Sequence, residues 1–346
     1  MPHTAANASC DPHGIPAGKQ LQLPSSLRPR LFVVVDTEEE FDWTAPFARC
    51  NTSVGAMKHV DRAQSIFDRF LIRPTYVIDY PVASQPEGYS FLQEIAADGR
   101  CDIGAHLHPW VNPPFTEPMT RRNSFTSNLG RELQRAKLKV LTEIITEHFG
   151  RRPRVFKAGR YGFDATTLAV LEELQFEVDA SICPRMDFSS EEGPDFSDCD
   201  ALPFWISDDV LEIPCTVDYT GWLGPLRQSA HRMASLSGLS RLKAVGVLAK
   251  SGMANKVMLS PEGNTYEEMR RLASALVGRG CRAMTLSFHS PSVAPGHTPY
   301  VRTTADLETF LGDLERFFEF FTSELDGIPA SPLDFRASCI HGVFDR

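Results

Sequence analysis

Short apolar runs alternate along the chain with longer segments in which apolar residues recur every three or four positions. The short runs are rich in β-branched and aromatic residues, which is typical of strands, whereas the periodic segments predict amphipathic helices. The predicted strands are Leu31–Asp36, Pro74–Ile78, Asp102–His106, Val155–Ala158, Phe176–Ile182, Val210–Thr216 and Arg282–His289. Because strands that alternate with helices usually pair in parallel, the pattern predicts an α/β fold.

Capping residues mark the ends of several predicted helices. Thr265 and Glu268 form a capping box before a helix that ends near Gly278. Asp164 is placed to cap the helix that follows it, and Gly150 ends the long helix before that one. The last predicted helix carries one continuous apolar stripe, formed by Leu307, Phe310, Leu311, Leu314, Phe317, Phe318 and Phe321.

The seven strand–helix units fit either a barrel or an open, doubly wound sheet. Asp36, His106, Arg160 and His289 lie at or just beyond the carboxyl ends of four different predicted strands. In a barrel these ends converge on one mouth, where barrel enzymes carry their chemistry. An open sheet would hold its outer strands too far apart. We therefore predict a deformed seven-stranded barrel over residues 28–325.

Composition limits the location and the partners of the protein. The 346 residues carry a net charge of −9, and nucleic-acid binding requires a dominant basic surface instead. No apolar run approaches the roughly 18 residues of a membrane-spanning helix. Residues 1–27 lack the basic start and the apolar segment of a secretory signal, so we predict a disordered lead-in and a cytoplasmic protein. Residues 326–346 are predicted to form a C-terminal tail.

The eight cysteines are scattered singly, with no Cys-x-x-Cys pair. Four disulfides are the expectation for a secreted protein, and reduced thiols are the expectation for a cytoplasmic one. We predict reduced thiols, because the sequence has no recognisable export signal. The same lack of close spacing argues against a zinc site made of thiolates.

Acidic and histidine side chains follow two of the predicted strands. The first strand runs into Val-Asp-Thr-Glu-Glu-Glu, and Asp36 directly follows its buried valines. His106 and His108 point to the same side, because side chains alternate along a strand with a period of two. Two imidazoles with one carboxylate from the first strand suit a metal ion. The alternatives are a solvated acidic turn and hydrogen-bonded structural histidines.

Two further strand ends carry candidate catalytic groups. His289 ends the seventh strand, and its ordinary pKa of about 6.5 suits protonation of a leaving amine. Arg160 follows Ala158–Gly159, a small pair that lets the backbone approach the site. A guanidinium at this position can hold a carboxylate and keep it ionised. A buried structural histidine and a surface ion pair are the alternatives.

These segments together resemble the polysaccharide deacetylases (carbohydrate esterase family 4, the NodB-homology superfamily), and in particular their WalW-like branch. The resemblance extends from about Arg30 to Glu324. Leu-Ser-Phe-His at 286–289 matches the motif of the general-acid histidine, and Gly-Arg-Tyr-Gly at 159–162 matches the motif of the arginine that orients the catalytic aspartate. Ile-Gly-Ala-His at 103–106 matches the first metal histidine, and Asp36 matches the catalytic base.

The resemblance implies a deformed seven-stranded barrel and a divalent metal, commonly zinc. Thr37 stands where the family usually has a metal-binding aspartate, so the carboxylate ligand is expected from Glu38. Trp110 stands where the family has its second metal histidine, which makes His108 the expected substitute. The implied reaction is removal of an acetyl or formyl group from a sugar nitrogen.

A cytoplasmic member of this family is expected to act on a nucleotide-linked or lipid-linked sugar during glycan or lipopolysaccharide assembly. Trp110, Tyr161 and Trp222 are the predicted sugar-binding residues, because aromatic rings stack on sugars. Two alternatives remain open at this point. One is a cyclic amide or formamide hydrolase on the same fold, and the other is an inactive barrel that binds glycans.

Residues 219–261 contain no Asp or Glu, although they contain six Arg and Lys residues. This local reversal of sign predicts a basic helical insert. One interpretation is a helix that packs on the barrel and balances the acidic residues at 187–200. The other is an insert that guides an anionic substrate or makes peripheral contact with a membrane, through attraction that salt weakens.

Overall fold

The computed structural model describes residues 18–223, 226–235 and 253–344. Most of the described strands form one sheet, and two of them form a separate antiparallel pair. The strands are β1 (Lys19–Gln20), β2 (Arg30–Thr37), β3 (Thr75–Ile78), β4 (Asp102–Leu107), β5 (Val155–Ala158), β6 (Val178–Asp179), β7 (Phe204–Trp205), β8 (Leu211–Glu212), β9 (Val217–Thr220), β10 (Asn255–Met258), β11 (Ala283–His289) and β12 (Ile328–Pro329). All seven predicted strands are present, although β6 and β8 are shorter than expected.

The helices lie between these strands in the predicted order. They are α1 (Asp61–Arg69), α2 (Tyr80–Ser84), α3 (Pro86–Ala97), α4 (Arg131–Phe149), α5 (Ala165–Glu173), α6 (Arg227–Ser235), α7 (Tyr266–Gly278), α8 (Thr304–Ser323) and α9 (Pro332–His341). The capping box of Thr265 and Glu268 is confirmed. Asp164 caps α5 by accepting from the Thr167 amide, and Gly150 ends α4 with a left-handed φ of 66°.

The strand order in the main sheet is β1-β7-β8-β6-β5-β4-β3-β2-β11. All pairs from β8 to β11 are parallel, and β7 and β1 add antiparallel pairs at one edge. The sheet curls, and backbone hydrogen bonds from Leu259 to Thr216 and from Ser287 to Leu259 span the gap between its ends. The predicted deformed α/β barrel is confirmed as a curled, mixed half-barrel.

Strand β2 is buried along its whole length, which explains its unbroken apolar run. Leu31, Val33 and Val35 pack in the large core cluster with the helices. Phe32 and Val34 instead belong to a second cluster inside the curled sheet. The members of this inner cluster are Phe32, Val34, Val77, Val155, Val178, Leu211, Ile213, Ala283 and Phe335. The alternation places the next residue of the inner series, Asp36, at the open end of the sheet.

Both predicted terminal segments contribute to the fold where they are described. In the predicted disordered lead-in, Lys19 pairs with Trp205 and Leu27 is buried, so the prediction is wrong for residues 18–27. Residues 1–17 lie outside the described part. The predicted tail forms β12, which pairs with β2, and α9, whose Phe335 packs against Phe32 at 5.0 Å. This helix covers the end of the barrel opposite Asp36.

The predicted basic insert at 219–261 is described in part. Strands β9 and β10 pair with each other, and α6 lies between them in the sequence. Residues 224–225 and 236–252 lie outside the described part, as do the side chains of Arg227 and Arg232. The role of the insert therefore stays a prediction.

Six cysteines are free thiols: Cys50, Cys101, Cys183, Cys215, Cys281 and Cys339. Cys199, however, is disulfide-bonded, so the prediction that all thiols are reduced is wrong for this residue. Within residues 18–223, 226–235 and 253–344, none of the helices has both the length and the apolar character that a membrane crossing requires.

Candidate metal and acid–base site

A cavity of about 740 Å³ opens at the carboxyl ends of the parallel strands. Polar side chains at or just beyond the carboxyl ends of β2, β4, β5 and β11 line it, as the barrel prediction requires. The predicted site residues that line it are Asp36, Glu38, His106, His108, Trp110, Arg160, Tyr161 and His289. Trp222 does not line this cavity and is 68% exposed, so its role in sugar binding stays a prediction.

Glu38, His106 and His108 bring three ligand atoms within 4.8 Å of one another. The Glu38 Oε2 atom lies 3.5 Å from His106 Nε2 and 3.4 Å from His108 Nε2. All three side chains are buried, and the second carboxylate oxygen, Oε1, has no hydrogen-bond partner among the described residues. An orphaned buried oxygen costs free energy unless a ligand satisfies it.

Each of these histidines is oriented by its other ring nitrogen. His106 Nδ1 lies 3.0 Å from the Lys157 carbonyl oxygen and donates to it. His108 Nδ1 lies 2.7 Å from Glu39 Oε2. These bonds leave both Nε2 lone pairs facing Glu38. Burial also lowers the pKa of both rings, that of His108 to about 4, so they stay neutral as metal ligands must be.

Glu39 connects the candidate metal site to the residues packed behind it. Its Oε1 accepts a 2.7 Å hydrogen bond from Trp110 Nε1, and its backbone amide donates to Asp79 Oδ2. The Trp110 ring stacks on His108 with centroids 4.2 Å apart and is 1% exposed. The prediction that Trp110 stacks on a sugar therefore disagrees with the structure. The indole instead helps to position His108.

Burial raises the pKa of Glu38 and of Glu39 to about 7 in the absence of a cation. A divalent ion bound to Glu38 would remove this penalty by supplying opposite charge. Two histidine nitrogens and one carboxylate form a ligand set that zinc accepts in hydrolases. The residues present therefore fit a divalent metal.

Asp36 is held by a lysine that the sequence analysis missed. Lys157 Nζ donates to both Asp36 carboxylate oxygens at 2.7 Å, and both side chains are buried. Although burial opposes ionisation, the Lys157 charge holds the pKa of Asp36 below its ordinary value. We expected Arg160 to orient Asp36. That expectation is wrong, because Lys157 occupies this position from the middle of β5.

Arg160 lies on another part of the cavity wall. Its guanidinium donates to Ser124 Oγ at 2.5 Å and pairs with Glu191. Arg160 and Tyr161 have left-handed backbones, with φ of 53° and 60°, and both line the cavity. A Cβ atom on Gly159 would lie 2.3 Å from a His108 ring carbon, so the predicted close approach of this backbone to the site is confirmed.

His289 is paired with Glu262, a second residue that the sequence analysis missed. His289 Nδ1 lies 2.7 Å from Glu262 Oε2, and the His289 amide donates to Glu262 Oε1. The opposite ring nitrogen, Nε2, faces the cavity 3.8 Å from Asp36 Oδ2. Burial lowers the affinity of the ring for a proton, but Glu262 and the nearby carboxylates Glu38 and Asp36 outweigh it and raise the pKa of His289 to about 10.

Aromatic rings form much of the remaining cavity wall. Trp43 packs edge-on against His289 with centroids 4.9 Å apart and against Tyr300 at 5.7 Å. Tyr161 is half-buried and stacks on Phe188 at 5.4 Å. The Trp43 segment was not predicted to contribute, although its acidic and aromatic residues directly follow β2. These rings supply the apolar surface on which a sugar or an acyl group can pack.

The missed residues left weak signals in the sequence. Lys157 is a charged residue inside a four-residue strand, where burial demands a partner. Glu39 belongs to an acidic run in which only two acids were assigned roles. Glu262 follows Pro261 just beyond β10, and nothing in its own segment points to a histidine 27 residues later.

The fold is similar to that of two solved structures over nearly the whole chain. A putative polysaccharide deacetylase from Mycobacterium smegmatis has 13% identity and a TM-score of 0.53, with 95% of this chain and 97% of that chain covered. The allantoinase PuuE has 17% identity and a TM-score of 0.51, with 99% of both chains covered. No family profile and no curated protein matches the sequence. This chain therefore has the polysaccharide deacetylase type of barrel.

Proposed function

We propose that this protein is a metal-dependent hydrolase that removes an N-acyl group, acetyl or formyl, from a sugar. We further propose that it is a member of the polysaccharide deacetylase superfamily and of its WalW-like branch. One observation carries the proposal: a set of metal-ligand atoms, a carboxylate held by a lysine and a histidine paired with a carboxylate all meet in one cavity.

Glu38, His106 and His108 would hold the metal, for which we propose zinc because of the nitrogen and oxygen donors. When bound, the metal polarises the acyl carbonyl and lowers the pKa of a water molecule. The Lys157 carbonyl and the Glu39 carboxylate keep the two imidazoles in the orientation that exposes their Nε2 lone pairs.

Asp36 is the proposed general base. Its carboxylate is kept ionised by Lys157, so it can accept the proton that the attacking water loses. Both of its oxygens already accept from the ammonium, which fixes the carboxylate against rotation. This rigid placement means that the base is oriented before the substrate arrives.

His289 is the proposed general acid. With a pKa near 10 the imidazole carries its proton at neutral pH. Glu262 accepts from Nδ1, so the proton on Nε2 is the one that faces the cavity and can pass to the leaving sugar nitrogen. The base is therefore deprotonated and the acid protonated before the reaction, as their two roles require.

The substrate is proposed to be a carbohydrate, nucleotide-linked or lipid-linked, used in cell-surface glycan or lipopolysaccharide biosynthesis in the cytoplasm. Tyr161 and Trp43 would pack against it, since both rings line the cavity. The basic segment at 219–261 would favour an anionic carrier or peripheral contact with a membrane.

The similarity to the PuuE allantoinase over the full length supports a second candidate, a cyclic amide hydrolase on the same fold. An inactive glycan-binding barrel is less compatible with the site, because such a protein has no need of a partly buried cationic histidine beside a buried ionised aspartate. The aromatic wall is compatible with all three candidates.

Metal content and turnover separate these candidates. Purified protein should contain about one zinc per chain and hydrolyse an N-acetyl or N-formyl sugar, and chelation should abolish the activity until zinc is restored. Turnover of a cyclic ureide in place of the acyl sugar would favour the second candidate. Stoichiometric zinc without turnover of either compound would favour the binding barrel, and the Asp36→Asn variant controls for contaminating hydrolases.

A further inference from the structure

A second charged cluster lies on the cavity wall, outside the metal and acid–base groups. It consists of Arg121, Arg160 and Glu191, and all three line the cavity. Glu191 Oε2 pairs with Arg160, and Glu191 Oε1 lies 2.9 Å from Arg121 Nη2. One carboxylate is thus shared between two guanidinium groups. The cluster carries an excess positive charge that faces the cavity.

Arg160 is held firmly in this cluster. Its guanidinium carbon lies 4.0 Å from the ring centroid of Phe125 and 5.0 Å from that of Phe47. The Ser124 hydroxyl accepts one of its N–H groups, and the side chain is 19% exposed. A guanidinium that is stacked and tethered in this way loses little further freedom when it binds an anion.

Arg121 and Glu191 are more accessible. The side chain of Arg121 is 65% exposed, and that of Glu191 is 32% exposed. The Arg121–Glu191 pair is worth little free energy at this exposure, and an anion that replaces the carboxylate would supply both guanidinium groups with a new partner. The neighbouring pair, Arg122 with Glu192, is balanced in charge and is not part of the cavity wall.

We propose that Arg160 and Arg121 bind a negatively charged group of the substrate, a carboxylate or a phosphate, and that Glu191 occupies this subsite when substrate is absent. The inference rests on the proposed function for the reaction, and it adds a preference for anionic over neutral acyl sugars. Planar guanidinium groups bind carboxylates and phosphates in the same bidentate manner. The anion belongs either to the sugar or to the acyl group.

Three compounds test this subsite: N-acetylglucosamine, which is neutral, its 1-phosphate, which is charged on the sugar, and N-succinylglucosamine, which is charged on the acyl group. Their dissociation constants are measured by calorimetry with the purified full chain. The unaltered protein should bind one anionic compound more tightly than the neutral one. Arg121→Ser should reduce that preference by about tenfold, the size expected for a hydrogen bond to a charged group.

Two further variants complete the test. One should increase the preference for the anionic compound, and the other is the matched control. Glu191→Gln removes the competing carboxylate and should increase the preference for the anionic compound. Arg122→Ser removes a neighbouring arginine of similar exposure that does not line the cavity, and it should leave the preference unchanged. Whichever anionic compound responds identifies the side of the scissile bond on which the charge lies.

Equal affinity of the unaltered protein for all three compounds, including no binding of any of them, would overturn the subsite. An equal effect of Arg121→Ser and Arg122→Ser would also overturn it, because a general surface charge would then explain the result. These binding measurements do not require hydrolysis. Failure of the proposed reaction would instead appear as absence of product from every compound while the affinity difference persists.

Discussion

The pKa values of three histidines at the mouth of the barrel are shifted in opposite directions. His106 and His108 have lowered pKa values, whereas the pKa of His289 is raised to about 10. The side chains of His106 and His108 are 3% exposed, so loss of hydration dominates and disfavours their charged forms. His289 is 20% exposed and faces three carboxylates, whose attraction outweighs its burial.

In the proposed mechanism, one residue type serves as a lone-pair donor and as a proton donor within the same cavity. The first role needs a neutral ring with one fixed tautomer, and the second needs a cation with its proton aimed at the leaving group. Lys157 touches both halves, because its carbonyl orients His106 and its ammonium holds Asp36. Substitutions among the proposed metal ligands and among the proposed acid–base residues should therefore separate metal binding from proton transfer.

Lys157→Met should have the largest effect, because it leaves the Asp36 carboxylate buried without its partner. We expect a loss of about 3 kcal/mol or more in the free energy of unfolding at neutral pH, measured by urea denaturation. Lys139→Met, which removes an exposed lysine on α4, is the matched control and should change stability by less than about 0.5 kcal/mol.

The same variant has a defined pH dependence. The folded-state pKa of Asp36 lies below the ordinary value of 3.8. The contribution of the pair is therefore present above that ordinary value and is lost as the pH falls through the lower folded-state value. The stability difference between Lys157→Met and the unaltered protein should shrink in acid. A difference independent of pH would mean that lost packing, not charge, is the cause.

His106→Ala and His108→Ala should each weaken zinc binding by more than the roughly 100-fold that loss of an outer hydrogen-bond partner can cause. Zinc per chain, measured after dialysis against a competing chelator, reports this effect directly. His341→Ala, at the exposed end of α9, is the control. If His108→Ala keeps full occupancy while His106→Ala loses it, Glu39 becomes the better candidate for the third ligand.

His289→Ala should leave zinc content unchanged and reduce kcat by about 100-fold, the usual contribution of a general acid. Together with the zinc measurements on the His106 and His108 variants, this result would separate proton transfer from metal binding within the site. Turnover close to that of the unaltered protein would remove His289 from the mechanism. The midpoint of urea denaturation checks that the variant is folded. Because the His289 side chain is only partly buried, its removal should leave the protein folded.

Glu262→Gln should have the smallest effect at neutral pH. Removal of the carboxylate lowers the pKa of His289 from about 10 toward its ordinary value of 6.5, so the ring loses its proton in mildly alkaline solution. The alkaline limb of the kcat profile should move to lower pH, with about a tenfold loss one pH unit above the new pKa. An alkaline limb that stays in place would assign it to another group.

The pairing of Glu262 with His289 also affects stability. Because the folded-state pKa of His289 is raised, its contribution is fully present below 6.5 and is lost as the pH rises through about 10. Glu262→Gln should therefore cost stability near neutral pH and little at strongly alkaline pH. The pH dependence of kcat and the pH dependence of stability are both measured in Glu262→Gln. Together they would link the shift of the alkaline limb to loss of the ion pair between Glu262 and His289.

Much of the architecture could be predicted from local patterns. Buried parallel strands are continuous apolar runs, so β2, β5 and β11 were predicted to within one residue at each end. The alternation of side chains along a strand brought His106 and His108 to one side of β4. The meeting of Asp36, His106 and His289 at one mouth follows from parallel pairing, which is itself a consequence of strand–helix alternation.

The partners of these residues were decided only by the tertiary structure. Lys157 lies 121 residues from Asp36, Glu39 lies 69 residues from His108, and Glu262 lies 27 residues from His289. The sequence resemblance implied family motif positions for Arg160 and Trp110, yet the structure places the first beside Glu191 and buries the second behind His108. A local pattern determines which side of a strand a residue faces. Which charged residue lies next to it depends on how strands distant in the sequence pack together. That neighbour sets the protonation state of the residue and so its chemical role.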